Sequence, residues 1–214
     1  MRLLALLCLI TLAGCTTGQQ SIVDTLNTAI RGDKDVTVAD EKIQSLPYST
    51  MYLTLNNGQR VLVVLGYIEQ GNSKWLSQDR AMLVTRQGRL LKTVNLPDNL
   101  LEIITNQDDP LVHADKLSTG DSWSRSIMWT EDGQLRSSQL TSRFSRAEQD
   151  EVLTIAGNNI ACEVWYEDVQ SQTPKRNWRN TFWVDKQSGE VRQSHQMMGA
   201  GDFPVKMTML KPAP

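Results

Sequence analysis

Short apolar segments separated by tight-turn pairs are the feature that most limits how this chain can fold. After Pro47, turn pairs such as Gln87-Gly88 and Asp132-Gly133 recur between segments rich in β-branched and aromatic residues. Such pairs join antiparallel strands. The pattern predicts a mainly β fold, an antiparallel β-sandwich or partly open β-barrel of about 10–11 strands. The predicted strands are 51–55, 61–68, 81–85, 90–94, 122–130, 135–144, 152–155, 160–169, 177–183, 190–197 and 205–210.

Three other segments are predicted to contain helical turns. Ser21–Ile30 opens with a loose capping-box pattern and carries apolar residues at helical spacing, so it predicts a short N-terminal helix. Its apolar stripe favours packing on the sheet over lying at a membrane interface, because its polar face lacks Lys and Arg. Ala39–Gln44 predicts a second helical turn, and Leu96–Asn106 predicts a short helix or turn.

Two segments depart from the alternation of apolar and polar residues. Val61–Ile68 is apolar with little polar alternation, which predicts a strand buried on both faces. Asn106–Ser122 is the longest irregular stretch, and long loops in small domains are often functional. We therefore take Asn106–Ser122 as the candidate functional loop.

The first fifteen residues predict a secretory signal with a lipid attachment site. Leu3–Leu12 is a ten-residue apolar run, about half the length needed to span a bilayer. The sequence that follows, Ala13-Gly14-Cys15, completes a pattern that resembles the bacterial lipoprotein box, in which the chain is cut before the cysteine and the cysteine is lipidated. Cleavage would then fall between Gly14 and Cys15. We divide the chain into a signal peptide, residues 1–14, and a single lipid-anchored β domain, residues 15–214.

Thr16 bears on where the lipoprotein resides. In the enterobacterial sorting pattern that this N-terminus resembles, Asp after the lipidated cysteine retains the protein in the inner membrane. Thr16 therefore predicts the outer membrane, with the domain facing the periplasm. Loss of Cys8 with the signal and lipidation of Cys15 leave Cys162 as a single thiol, and its apolar strand neighbours predict a buried, inert side chain.

Charge and residue spacing exclude several classes of function. A net charge of -2 excludes an electrostatic nucleic-acid binder, which would carry a basic excess. His113 and His195 are far apart, and no cysteine pair or carboxylate cluster has metal-ligand spacing, so we expect no metal and no cofactor. Asp108-Asp109 could act as a glycosidase acid–base pair, but adjacent carboxylates before a proline favour a solvated turn.

The tryptophans offer candidate contact residues. Strand alternation places Trp123, Arg125 and Ile127 on one face, which predicts a core face with the guanidinium stacked or ion-paired at its edge. Trp165 and Trp183 fall on the more polar faces of two strands expected to be neighbours. Each of these two could stack on a sugar ring, anchor a protein partner, or simply pack under a cover.

Five segments, taken in order, resemble one known family. They are Leu46-Pro47-Tyr48; Trp75 with Gly88-Arg89; Trp123–Ile127; Asn180–Asp185; and Ser188–Val191 with Ser194 and Gln196. In this order they resemble the YjbF/GfcB lipoproteins of group 4 capsule and exopolysaccharide loci, over most of the mature chain. The resemblance implies an outer-membrane lipoprotein encoded with other polysaccharide secretion components, including an outer-membrane barrel. It carries no catalytic residues over to this chain.

The leading hypothesis is a non-enzymatic accessory lipoprotein that helps assemble or secrete capsule or exopolysaccharide. Its expected partners are other proteins of the secretion locus or the polysaccharide itself. Two alternatives stay open. A periplasmic carrier of lipid or another apolar ligand would need a large apolar cavity lined by the Val61–Ile68 strand and its neighbours. A polysaccharide-modifying enzyme would need two carboxyl groups about 5–10 Å apart in one groove.

Overall fold

The computed structural model of the protein describes residues 35–212. The predicted cleavage site after Gly14, the predicted lipidation site Cys15 and the predicted helix Ser21–Ile30 all lie outside the described residues, so all three stay predictions. Within residues 35–212, no helix combines the length and the apolar character needed to cross a membrane.

The described chain is built almost wholly of antiparallel strands. One short helix, α1 (Asp40–Ser45), precedes them, and a 3₁₀ segment (Pro110–Lys116) interrupts them. The strands are β1 (Thr50–Leu55), β2 (Arg60–Glu69), β3 (Asn72–Leu76), β4 (Met82–Arg86), β5 (Arg89–Val94), β6 (Leu100–Ile104), β7 (Ser122–Glu131), β8 (Gln134–Arg146), β9 (Glu151–Ile155), β10 (Asn158–Ser171), β11 (Arg176–Asp185), β12 (Val191–Met198) and β13 (Phe203–Lys211).

Twelve of these strands form one curved, nearly closed sheet. Its hydrogen-bonded order is β5-β4-β3-β2-β1-β13-β12-β11-β10-β8-β7-β6, and β9 pairs separately with β10. The two ends of this path, β5 and β6, lie side by side. Across that seam the Leu100 N–H donates to Thr93 Oγ1 at 2.9 Å. The predicted mainly β class, a sandwich or partly open barrel, is confirmed.

Two strands were not predicted. The prediction of a helix or turn at Leu96–Asn106 is wrong for its second half, because β6 pairs with β7 there. The first half forms a turn in which Asn99 Oδ1 accepts from the Leu96 N–H at 3.1 Å. β3 carries only two large apolar residues, Trp75 and Leu76, and it is fixed by pairing with β2 and β4 on either side. A short apolar run suits helix and strand equally well, so periodicity alone could not decide.

The prediction that Val61–Ile68 is buried on both faces is also wrong. Leu62 and Val63 are buried, but Tyr67 and Ile68 are 51% and 49% exposed. The β1 ladder covers β2 only from Arg60 to Val64, and the pairing with β3 shifts register after Leu65. The second half of β2 therefore extends beyond the packed body of the sheet.

The interior of the curved sheet is filled by two apolar clusters. The larger contains Leu53, Trp75, Ile127, Trp129 and Met207 among others, and the smaller includes Phe144, Trp165 and Phe182. A third cluster lies on the outside, where Ile43 of α1 packs with Leu62, Ile155 and Leu210. The predicted helical turn at Ala39–Gln44 is confirmed by α1, whose apolar side covers the outer face of the sheet.

The antiparallel order gives the barrel two distinct ends. The turns after β1, β3 and β5 meet at one end, which we call the turn end. Residues 105–121 and the β4–β5 turn lie at the opposite end, which we call the loop end. The described chain starts at the turn end, where the Arg60 N–H donates to Asp35 Oδ1 at 2.9 Å.

Candidate functional site

Four charged side chains meet inside the barrel. Arg89 on β5 contacts Asp109 through Nε at 2.7 Å and Glu167 on β10 through Nη1 at 2.6 Å. Arg125 on β7 contacts the other oxygen of Glu167 at 3.1 Å. Glu167 has no exposed surface, and both guanidinium groups are nearly as buried. Two positive and two negative groups balance, so this ionic cluster carries no net charge.

Neutral groups complete the shell of the ionic cluster. Ser142 Oγ donates to Glu167 Oε1 at 2.7 Å, and Asn180 Nδ2 donates to Oε2 at 2.8 Å. The guanidinium of Arg125 lies 4.1 Å from the centre of the Trp123 ring, and that of Arg89 lies 4.9 Å from the same ring. These stacked and hydrogen-bonded groups replace the water that the charges lose on burial.

The electrostatics of the cluster favour permanent charge. Burial opposes ionisation of Glu167, but Arg89 and Arg125 outweigh it and lower the pKa of the carboxyl to about 2. Burial likewise opposes the charge of Arg89, yet Asp109 and Glu167 raise its pKa above the ordinary value. Burial prevails at Arg125 and lowers its pKa to about 10, which still leaves it charged at neutral pH. A fixed carboxylate of this kind is a poor general acid.

The lowered pKa of Glu167 predicts a loss of stability in acid. The unfolded chain takes up this proton near pH 4.5, the ordinary value, and the folded chain only near pH 2. The stabilisation is therefore complete above pH 4.5 and is lost as the pH falls toward 2, to the extent of about 3 kcal/mol. Urea unfolding between pH 5 and pH 2.5 should give a shallower pH dependence for Glu167→Gln than for the wild type. The exposed variant Asp168→Asn should keep the wild-type slope, and equal slopes for all three proteins would contradict the prediction.

The candidate functional loop is fastened to the barrel through Asp109. Besides its contact with Arg89, Asp109 Oδ1 accepts from the Leu111 N–H at 3.1 Å, and Leu111 is fully buried in the smaller core cluster. The prediction that Asp108-Asp109 forms a solvated turn holds for Asp108, which is exposed, and is wrong for Asp109. Asp109 is held inward because it neutralises a guanidinium that would otherwise be buried without enough negative charge.

Trp165 and Trp183 are both buried, which corresponds to packing, one of the three roles that the sequence leaves open. Trp165 is 4% exposed and packs inside the barrel, on the face that it shares with Glu167. That face has a polar sequence because the ionic cluster lies on it, and not because it meets solvent. Trp183 is 8% exposed on the opposite face of the sheet, where its Nε1 donates to Glu151 of β9 at 2.8 Å. Contact of either ring with glycan or a protein partner stays an untested prediction.

The other residues that the sequence analysis singled out can also be located in the structure. Trp123, Ile127 and Arg125 are buried together, which confirms the predicted core face, although Arg125 lies in the interior and not at its edge. Cys162 is buried and unpaired as predicted, and burial raises the pKa of its thiol to about 11. Across residues 35–212, no three His, Cys, Asp or Glu side chains lie close enough together to hold a metal ion.

An apolar cavity of about 530 Å³ opens at the turn end of the barrel. Its walls come from β1, β2 and the turns after β3 and β5. They comprise Leu53, Leu55, Gln59, Val61, Leu62, Ser77, Gln78, Asp79, Ala81 and Leu96. The apolar-carrier hypothesis requires a large apolar cavity lined by the Val61–Ile68 strand and its neighbours. Val61 and Leu62 of that strand line this cavity, whereas the filled middle of the barrel argues against the hypothesis.

Sequence reasoning missed the centre of the site. Strand alternation identifies Glu167 only as a polar member of a strand face, and Arg89 and Asn180 enter only through the family resemblance. Arg89 and Glu167 are 78 positions apart, so no local pattern links them. The sequence did contain one indication of the ionic cluster. Arg125 and Glu167 carry opposite charges, and each lies at the centre of a strand predicted to be half-buried.

These features define the class of protein: a nearly closed antiparallel barrel, filled by apolar clusters around a neutralised ionic cluster, with an apolar cavity at one end. Residues 23–210 match the family described as group 4 capsule polysaccharide lipoprotein gfcB, YjbF. The chain belongs to this family, which confirms the resemblance found in the sequence.

Individual relatives match over nearly their whole length. The chain is 59% identical over 203 residues to the uncharacterized lipoprotein GfcB of Escherichia coli (strain K12), covering 95% of this chain and 94% of the relative. It is 37% identical over 210 residues to the uncharacterized lipoprotein YjbF of the same strain, covering 98% and 97%. The crystal structure of the hypothetical lipoprotein YmcC from Escherichia coli (K12) superposes with a TM-score of 0.83 at 53% identity, covering 94% of this chain and 98% of that one.

Proposed function

We propose that this protein is an outer-membrane lipoprotein that acts as a non-enzymatic accessory factor in the assembly or secretion of capsule or exopolysaccharide. In this role it is anchored through lipid on Cys15, and its barrel faces the periplasm. Membership of a capsule polysaccharide lipoprotein family supports the process. The lipoprotein-box pattern before Cys15 and the Thr at position 16 support the location.

The observation that carries the non-enzymatic role is the neutralisation of Glu167 and Asp109. A glycosidase needs one carboxyl group with a raised pKa and a second one facing the same solvent-filled groove. Glu167 has a lowered pKa and no exposed surface, and Asp109 is committed to Arg89. The two carboxylates that lie together in the barrel therefore serve packing, and the contribution of the protein to secretion is assigned to binding.

Localisation variants test the proposed place of action. In the strain that encodes this chain, deletion should remove most of the surface polysaccharide, and the wild-type gene should restore it. Cys15→Ser should leave the protein unlipidated, and Thr16→Asp should move it to the inner membrane; neither should restore the polysaccharide. Thr16→Ser is the matched control and should behave as the wild type. Membrane fractionation and glycan blotting give the two measurements.

Two outcomes would overturn the proposal. Unchanged surface polysaccharide in the deletion strain, with the locus expressed, would remove the accessory role. Full restoration by Thr16→Asp protein that fractionates with the inner membrane would remove the requirement for the outer membrane.

Crosslinking in intact cells tests what the barrel holds. Pull-down of the mature lipoprotein should recover another protein of the secretion locus, and the eluate should be blotted for glycan. Loss of a glycan signal in Trp183→Phe, with unchanged thermal stability, would support direct contact through that ring. Recovery of neither a locus protein nor glycan would contradict the binding role.

A further inference from the structure

We propose that the apolar cavity at the turn end is a binding site for a single acyl chain. The cavity volume of about 530 Å³ lies within the range of about 300–1,000 Å³ that is usual for small-molecule sites. Leu55 and Val61 in its wall also pack against the larger core cluster, so the floor of the cavity is continuous with the barrel core. This inference does not depend on the capsule role, and the two can fail separately.

The polar groups of the cavity indicate that the chain, and not a charged head group, is recognised. Among the described residues that line it, none is basic, and Asp79 is acidic. Ser77 Oγ donates to Asp79 Oδ1 and also contacts the Ala81 carbonyl, so these groups are satisfied within their own turn. An anionic head group inside the cavity would find no cation among these lining residues. The ligand head therefore stays outside, and the hydrocarbon chain enters.

The position of the cavity places it beside the chain that leads to the predicted anchor. Val36 N–H donates to the Arg60 carbonyl at 2.9 Å, and Arg60 lies between two lining residues, Gln59 and Val61. The described chain therefore enters the barrel at the rim of the cavity. If Cys15 is lipidated as proposed, the described chain begins at the end of the barrel where the segment that leads to the anchor joins it, and the membrane is a source of acyl chains.

The predicted helix Ser21–Ile30 is the competing occupant, since it ends only a few residues before Asp35. A ten-residue helix is about 15 Å long and about 10 Å wide, so it could cover the mouth of the cavity. The acyl chain is the proposed occupant, and occupation by residues 21–30 is one outcome of the test below.

Fluorescence titration with N-phenyl-1-naphthylamine, an uncharged apolar probe, tests the site. The protein used is the chain from residue 15 onward, produced without the signal peptide and carrying Cys15→Ser so that it is never lipidated. The probe should saturate at one equivalent, and dodecanol and dodecanoate should displace it with similar affinity. Val61→Trp, which fills the cavity, should weaken probe binding by about tenfold or more. Val152→Trp is the matched control, because Val152 is a strand valine that is 66% exposed elsewhere on the surface, and it should bind as the wild type.

A second measurement keeps the test decisive if Val61→Trp does not fold. A photoreactive diazirine dodecanol should crosslink the wild-type protein at cavity residues such as Leu55, Ala81 or Leu96. Absence of saturable binding, equal weakening by the two Trp variants, or crosslinks confined to other surfaces would overturn the proposal. Probe binding that appears only after deletion of residues 21–30 would identify that segment as the occupant and would overturn it as well.

Discussion

Replacing Glu167 with alanine is expected to lower the free energy of unfolding by about 3–5 kcal/mol, because Arg125 is left buried without its carboxylate partner and Arg89 is left with Asp109 alone. For a chain of this size that loss corresponds to a fall in Tm of about 6–20 °C. Asp168→Ala is the matched control. The carboxylate of Asp168, which is next to Glu167 in the sequence, is 51% exposed and pairs with Arg179 on the surface. Its loss should therefore lower the free energy of unfolding by less than about 1 kcal/mol.

A double variant separates the effect of unpaired charge from that of lost packing. Adding Arg125→Met to Glu167→Ala removes the guanidinium that pairs with no other carboxylate within residues 35–212, whereas Arg89 keeps Asp109. The double variant should therefore be more stable than Glu167→Ala alone. Chemical denaturation measures all three proteins. A cost for Glu167→Ala within about 1 kcal/mol of that for Asp168→Ala would show that the ionic cluster does not support the fold.

Gly88→Ala is expected to destabilise the protein by about 2–5 kcal/mol for two separable reasons. Gly88 has a φ of +74°, where a non-glycine residue costs about 1–2 kcal/mol. An added Cβ would also lie 2.4 Å from Cγ1 of Val191, which forces the β4–β5 turn away from β12 at a further cost of about 1–3 kcal/mol. Arg89 follows directly, so the ionic cluster would shift with the turn.

Gly133→Ala measures the destabilisation that comes from backbone strain alone. Gly133 has a φ of +72°, and a Cβ there would meet nothing within 4 Å. Thermal unfolding should therefore give a smaller loss for Gly133→Ala than for Gly88→Ala. Combining Gly88→Ala with Val191→Ala should cost less than the sum of the single variants, because the crowding is relieved. Additive losses in that pair would contradict the steric explanation.

The parts of the fold that could be predicted are those determined by neighbouring residues. Hairpins at Gln87-Gly88 and Asp132-Gly133 and the buried face of β7 follow from turn chemistry and alternation. β3 could not be predicted because its two neighbouring strands hold it in place, and β6 could not because its short apolar run suits helix and strand alike. The sequence correctly places Trp165 on a polar strand face. A strand face has a polar sequence either because it meets solvent or because it carries a buried salt bridge, and the sequence alone does not distinguish the two.

In the candidate functional site, too, local features could be predicted and contacts between remote segments could not. The apolar strand at Val61–Ile68 pointed to the region of the cavity, because local hydrophobicity is visible in the sequence. The ionic cluster was not visible, since Arg89, Asp109 and Glu167 come from three remote segments and their charges cancel only after folding. Each taken alone is typical of a solvated surface residue.

The pairing of β1 with β13 has a kinetic consequence. The first and last strands of the described chain are adjacent in the sheet, with Leu53 opposite Met207. Until the final strand is available, β1 and β12 each present an unpaired edge, and such edges promote association between chains. Closing so long a stretch of chain is entropically slow. The sheet therefore cannot be completed before β13 is available, and until then both of these edges can pair with strands of other chains.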